Sequence, residues 1–239
     1  MKKILVVVDM QNDFIDGPLG TPEARAIIDR VCEKIRGEEW DHIYYTLDTH
    51  DNEYLETQEG EKLPITHCVK HSPGWMLNKD VMIAIANSDS YEKIEKHTFG
   101  SIGLEDRLRK INTLPEGVMV SFTDIQHHVA GGNIELTLIG VCTDICVISN
   151  ALLLKTHFPE MKIVVDASCC AGTTPEKHVM ALEVMKSCQI DILNEVNGDQ
   201  IDVVNDEEPS LNGAMNKRAK TLGESSISHY FKVEKGELK

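Results

Sequence analysis

The segment GVCTDICV, residues 140–147, places a cysteine where its thiol could act as a nucleophile. A strand pattern leads into a tight turn and then a helical pattern, so Cys146 is expected in the first helical turn. Backbone N–H groups and the helix dipole there favour a thiolate, and the same N–H groups could hold the oxyanion of a tetrahedral intermediate. The alternatives are a buried structural cysteine and a metal site shared with Cys142, which lacks the further ligands of a structural zinc.

A second group of residues has the types that bind a transition metal. Asp48 and His50 follow a predicted strand, and in extended chain such positions point to the same side, so both side chains can reach one ion. His67, at the far end of the polar loop that follows, offers a third ligand. A carboxylate and two imidazoles suit zinc, iron or manganese. The alternative is that these side chains only form hydrogen bonds across a long loop.

The elements that must position these residues alternate between strand and helix. Strands are predicted at residues 3–8, 42–47, 91–96, 135–141, 162–167 and 190–193, and helices at residues 21–36, 105–112, 143–155 and 175–187. This alternation predicts a parallel sheet with helices on both faces, a three-layer αβα sandwich. Ligands bind at the carboxyl ends of the strands in such sheets. The candidate residues at or just past such ends are Asp9, Asp48, Lys96 and Cys146.

Length and charge restrict the class of protein. The chain has 239 residues and a formal net charge of −15, and so acidic a surface repels nucleic-acid phosphates and anionic membranes. No apolar run approaches the ~20 residues that span a bilayer, and the run from Ile4 to Val8 is too short for a secretory signal. The seven scattered cysteines indicate free thiols in a reducing compartment. We therefore expect a cytoplasmic protein without nucleic-acid or membrane partners.

Three segments together resemble the signature segments of the isochorismatase-like cysteine hydrolases. They are DMQNDF around Asp9, EKHTFGS around Lys96 and GVCTDICV around Cys146, and they occur in the family's order. The resemblance covers roughly residues 3–194 and implies that these three side chains form a catalytic triad. It also implies a cis peptide bond before Cys142, and an oxyanion hole made by the backbone N–H groups of Cys142 and Cys146.

The D-x-H and H-C-V segments further resemble the metal site of the nicotinamidases, a branch of that superfamily. This implies that the three candidate ligands hold one divalent transition ion, which binds the pyridine nitrogen of the substrate. Zinc is the first candidate for this ion, and iron and manganese are the alternatives. The fourth ligand varies in that branch. Glu59 is the candidate here, with Glu56 and Glu61 as alternatives.

The sequence departs from that branch at two places. Residues 48–51 read D-T-H-D, where D-W-H-P is usual. Many nicotinamidases also place a tryptophan against the pyridine ring shortly before the residue equivalent to His67, and residues 63–66 contain none. Phe14 matches a ring-contacting aromatic of the family, and Phe99 and Trp75 are the candidates to complete the pocket.

The resemblance implies hydrolysis of nicotinamide to nicotinate and ammonia through a thioester on Cys146. Two alternatives stay open: a cysteine amidohydrolase of another small amide or ureido substrate, and a non-catalytic protein that binds a small molecule. The hydrolase domain is expected over residues 1–195 and a C-terminal extension over residues 196–239. No role is assigned to this extension or to residues 117–133. We also expect a homo-oligomer.

Overall fold

Six parallel strands form one sheet, as the alternating pattern predicted. The structure, a computed structural model, describes residues 1–112, 123 and 131–195. Within these residues the sheet has the strand order β3-β2-β1-β4-β5-β6. The strands are β1 (Lys2–Val8), β2 (His42–Asp48), β3 (Tyr91–Lys96), β4 (Ile134–Val141), β5 (Lys162–Ala171) and β6 (Asp191–Leu193).

Helices connect the strands. Two short turns of other helical types precede α4 and α7, namely a 3-10 turn at Tyr54–Glu56 and a π-helical turn at Thr143–Val147. The α-helices of the described residues are α1 (Asn12–Ile15), α2 (Pro22–Ala26), α3 (Ile28–Gly37), α4 (Gln58–Lys62), α5 (Lys79–Ala86), α6 (Ile102–Ile111), α7 (Ile148–His157) and α8 (Pro175–Ser187). None of them is both long enough and apolar enough to cross a bilayer.

Both faces of the sheet are buried, which confirms the three-layer arrangement. Successive side chains of a strand point to opposite faces. In β1, Ile4, Val6 and Val8 pack in a core with residues of α6, α7 and α8. Leu5 and Val7 pack in the opposite core with residues of α2, α3 and α5. All five side chains are fully buried, which explains why β1 reads as an unbroken apolar run.

The strand order places a crevice at the carboxyl end of β1. The chain moves outward from β1 through β2 to β3 and then crosses to β4 on the other side of β1, so the order reverses there. Such a reversal opens the crevice in which α/β proteins bind ligands. Gly140 lets β4 approach β1 closely: it has φ of +116°, and an added Cβ would lie 2.1 Å from the Val8 carbonyl oxygen.

Several predicted elements differ from the observed ones. The helix predicted at 21–36 is interrupted at Ile27, where α2 ends and α3 begins, although both halves bury their apolar side chains in the same core. β5 runs to Ala171, four residues beyond its predicted end, and α5 was not predicted. Of the segment 117–133 only residues 123 and 131–133 are described, and the extension 196–239 lies outside the described residues.

Candidate active site

Three buried side chains from three strand ends meet at the crevice. The Lys96 ammonium lies 2.7 Å from Oδ2 of Asp9 and 3.5 Å from Sγ of Cys146. Asp9 follows β1, Lys96 ends β3, and Cys146 lies in the π-helical turn after β4. None of the three is more than 5% exposed. The structure therefore brings together the three residues that the sequence predicted as a triad.

Asp9 is held by a threonine of the neighbouring strand. Thr46 donates its hydroxyl hydrogen to Oδ1 of Asp9 at 2.6 Å, and its Oγ1 accepts the Asp9 N–H at 3.2 Å. Asp9 has φ of +49°, a conformation that is uncommon outside glycine. These contacts leave Oδ2 of Asp9 facing Lys96. The sequence signal for Thr46 is a small polar residue inside the buried strand HIYYTLD.

One side chain of the turn that carries Cys146 bonds to the segment after β5. The Val141–Cys142 peptide bond is cis, as predicted. The carboxylate of Asp144 accepts the backbone N–H of Thr173 at 2.8 Å and its hydroxyl at 2.6 Å. Cys146 itself lies in the first turn after the strand, as predicted, but this turn is π-helical rather than α-helical.

Burial dominates the electrostatics of the site. It raises the pKa of Asp9, against the opposing effect of the Lys96 ammonium. Burial, followed by the Asp9 carboxylate, also raises the pKa of the Cys146 thiol well above its usual value. Burial thus opposes the helix start, which was expected to favour a thiolate. Burial lowers the pKa of Lys96, but the neighbouring acidic groups, Asp9 foremost, outweigh it and raise that pKa.

A cluster of potential metal ligands adjoins these residues. Oδ2 of Asp48 lies 3.0 Å from Nε2 of His50 and 3.5 Å from Nε2 of His67. Glu59, from α4, approaches Nε2 of His50 to 3.8 Å. Each of the four side chains offers one ligand atom, and these atoms all lie within 4.8 Å of one another. The predicted alternatives Glu56 and Glu61 are not members of this group.

The surroundings of the two histidines suit metal binding. Nδ1 of His67 lies 2.8 Å from the Ile65 carbonyl oxygen, a contact that orients the ring and leaves Nε2 for an ion. The buried ring of Tyr54 lies 4.6 Å from the ring of His50 and 4.9 Å from that of His67. Two imidazole nitrogens and two carboxylate oxygens form a donor set that fits zinc and its neighbours in the first transition row.

Asp48 connects the ligand cluster to Lys96. Its Oδ1 lies 3.3 Å from the Lys96 ammonium, while its Oδ2 faces the two histidines. Gln11, which is fully buried, holds the backbone of Asp48: it accepts the N–H at 2.7 Å and donates to the carbonyl at 2.8 Å. Sequence reasoning missed Gln11, whose only signal is a polar side chain in the DMQNDF segment after a buried strand.

The three aromatic residues predicted for the pocket lie in different surroundings. Phe14 is buried with its ring 5.6 Å from the ring of His67, so it lies beside the ligand cluster. Trp75 is buried in the core beside α3 and α5, and its indole N–H donates to the Thr49 hydroxyl at 2.9 Å. Phe99 is 47% exposed, in the segment that follows Lys96.

Comparison with known proteins gives consistent matches. A nicotinamidase/pyrazinamidase of Mycobacterium tuberculosis is 23% identical over 200 residues, which are 80% of this chain and 98% of that protein. The nicotinamidase/pyrazinamidase PncA of Bacillus subtilis has a similar structure, with a TM-score of 0.64 and 25% identity over 81% of this chain and 100% of that one. The pyrazinamidase of Pyrococcus horikoshii in complex with zinc has a TM-score of 0.55 and 26% identity over 81% and 99%. Residues 3–195 match the family model of the isochorismatase domain, and the chain therefore belongs to the isochorismatase family.

Proposed function

We propose that this chain hydrolyses nicotinamide to nicotinate and ammonia, with Cys146 as the nucleophile. The family and the names of its relatives support the coarser description, a hydrolase of this family that acts on amides. The observation that carries the finer proposal is the position of Lys96. Its ammonium contacts Asp9 and Cys146 on one side and Asp48 of the ligand cluster on the other. A small nitrogen-containing ring with a carboxamide substituent can place the carboxamide beside Asp9 and Cys146 and the ring nitrogen beside the ligand cluster.

In the first half of the reaction Cys146 attacks the carboxamide. Its Sγ forms a bond to the carbonyl carbon as its proton passes to Asp9, which burial makes a better proton acceptor than an exposed aspartate. The carbonyl oxygen takes the electron pair of the C=O bond. The backbone N–H groups of Cys142 and Cys146 hold this oxyanion, and the Lys96 ammonium balances the added negative charge.

In the second half the intermediate loses ammonia and the enzyme is regenerated. Asp9 gives its proton to the amide nitrogen, the C–N bond breaks, and ammonia leaves a thioester on Cys146. Water then attacks the thioester carbon and passes a proton to Asp9. The C–S bond breaks and the proton returns from Asp9 to the sulfur. The product leaves as nicotinic acid, which loses its remaining proton to solvent and becomes nicotinate. The two side chains that exchange the proton, Asp9 and Cys146, both contact Lys96.

Asp48, His50, Glu59 and His67 would hold one divalent transition ion. When bound, the ion would bind the pyridine nitrogen of the substrate, orient the ring and draw electron density from the carboxamide carbonyl. The ring of Phe14 packs against His67, and the ring of Tyr54 packs against both histidines. Zinc is the ion we propose first, with iron and manganese as alternatives on the same donors.

A panel of amides tests the proposal. Purified protein is incubated with nicotinamide, with benzamide, which lacks the ring nitrogen, and with small ureido compounds, and ammonia and the acid product are measured. Turnover of nicotinamide well above benzamide, absent in Cys146→Ala, is the expected result. Preference for a ureido compound would instead support another amidohydrolase. Ammonia from none of them, with tight binding of one, would support a non-catalytic binding protein.

A further inference from the structure

A fully buried asparagine joins the segments that carry Lys96 and Cys146. Asn150 lies in the first turn of α7, four residues after the thiol, and none of its surface is exposed. Its Nδ2 donates to the carbonyl oxygen of Cys146 at 2.8 Å and to that of Phe99 at 3.3 Å. Its Oδ1 accepts the backbone N–H of Ser101 at 2.9 Å. One side chain thus bonds to the turn after β4 and to the segment after β3.

Other contacts show that these two segments touch. An added Cβ at Gly100 would lie 3.4 Å from the Ser149 carbonyl oxygen, an ordinary van der Waals contact with α7. The hydroxyl of Ser101 accepts the N–H of Leu104 at 3.1 Å, so the segment that leaves Lys96 also begins α6. A displacement of residues 99–101 relative to α7 would therefore be transmitted to the end of β3.

The sheet alone does not fix the distance from Lys96 to Cys146. β3 and β4 are separated by β2 and β1, which corresponds to about 14 Å at the usual spacing of neighbouring strands. The two side chains must meet across this gap at 3.5 Å. Asn150 is a buried polar link that bridges the gap outside the strand ladder.

We infer that Asn150 is a positioning residue that sets the contact between the Lys96 ammonium and the Cys146 thiol. Its carboxamide supplies two donors and one acceptor, and all three functions are used. Leucine has the same size and supplies none of them. Threonine supplies one donor, which can reach the carbonyl four residues earlier in a helix, here that of Cys146. This role rests on the proposed function, because the contact matters only if Cys146 is the nucleophile.

Two measurements test this role in Asn150→Leu, Asn150→Thr and the wild type. The first is the rate of alkylation of Cys146 by iodoacetamide, followed by peptide mass spectrometry, with the exposed Cys188 as an internal reference. The second is kcat and KM for nicotinamide. Leu154→Ala is the matched control, because Leu154 is buried one turn further along the same helix and faces the core.

We expect Asn150→Leu to slow alkylation of Cys146 at least fivefold and to lower kcat at least tenfold, with KM within threefold and Cys188 unchanged. Asn150→Thr should recover part of both losses, and it remains measurable if the leucine variant does not fold. Leu154→Ala should lower Tm and leave both rates within twofold. Alkylation of Cys146 at or above the wild-type rate in folded Asn150 variants would overturn the assignment, as would equal losses in Leu154→Ala.

The alkylation measurement needs no substrate, so it separates the two hypotheses. If the wild type does not hydrolyse nicotinamide but alkylation of Cys146 responds to Asn150 as expected, the proposed substrate is wrong and the positioning role is supported. If nicotinamide is hydrolysed and neither measurement responds to Asn150, the positioning role is wrong and the proposed function stands.

Discussion

The substitution Asp9→Asn separates proton transfer from charge balance in this site. Asparagine keeps the size of the side chain, and its carbonyl oxygen can still accept the hydroxyl hydrogen of Thr46. In the wild type Thr46 Oγ1 lies 2.6 Å from Oδ1 of Asp9. It cannot accept a proton from the thiol, and it removes the negative charge 2.7 Å from the Lys96 ammonium. Both the reaction rate and the stability of the fold should respond, by amounts that can be derived separately.

Loss of a general base and acid lowers reaction rates by about 10²–10⁴-fold, or about 2.7–5.4 kcal/mol of activation free energy. Breaking a buried ion pair costs about 3–5 kcal/mol of stability when the remaining charge has no partner. Here Lys96 keeps Asp48 at 3.3 Å, so we expect a smaller loss of about 1–3 kcal/mol. For a chain of this size that corresponds to about 2–12 °C in Tm.

Activity is measured by coupling ammonia release to NADH oxidation, and Tm is measured separately by circular dichroism. Asp166→Asn is the matched control. Asp166 is buried on β5, remote from the proposed nucleophile, and lies 3.2 Å from the Lys34 ammonium. It should lose stability and keep kcat. A kcat of Asp9→Asn within tenfold of the wild type, after subtraction of the Cys146→Ala background, would refute the role of Asp9 as proton acceptor.

Further substitutions test the other proposed roles by the same assay. Cys146→Ser should lose at least about a thousandfold in kcat with Tm nearly unchanged, and substantial turnover would show that another group is the nucleophile. Cys142→Ala should stay within about threefold of wild-type kcat, since alanine retains the backbone N–H of the oxyanion hole; a large loss in folded protein would implicate the thiol. His67→Ala should bind metal at least about tenfold more weakly and raise KM more than it lowers kcat. Full nicotinamide turnover by metal-free wild type in EDTA would contradict this last prediction.

Residues next to strand ends could be predicted from the sequence because strand position alone determines where they lie. Asp48 and Lys96 are the last residues of β2 and β3, and they are register partners in the parallel ladder. Because parallel strands end at one edge of the sheet, both residues were expected at that edge, and the observed register pairs them. The short-range pattern also placed Cys146 in the turn after β4. Only the type of that turn differed, because it depends on packing around the turn.

Residues that hold the site through backbone contacts could not be predicted. Gln11 bonds to the backbone of Asp48, which lies 37 positions away, and Asn150 bonds to the backbone of Ser101, 49 positions away. Every residue type has a backbone that can form such a bond, so the type of the residue that is bonded does not reveal the contact. Glu59 could be proposed but not distinguished from its neighbours Glu56 and Glu61, because the conformation of the loop decides which carboxylate reaches His50.

The two halves of the site are therefore positioned by different kinds of structure. Asp48 and Lys96 belong to neighbouring strands, so backbone hydrogen bonds of the sheet fix this ligand relative to the ammonium. Cys146 follows β4, which is separated from β3 by two strands. Its position relative to Lys96 depends on side-chain bonds such as those of Asn150. Because a ladder is more rigid than a few side-chain bonds, perturbation near α7 should displace the nucleophile while the metal ligands stay in place. A variant of that region should then retain metal affinity as it loses kcat, the opposite of the pattern expected for His67→Ala.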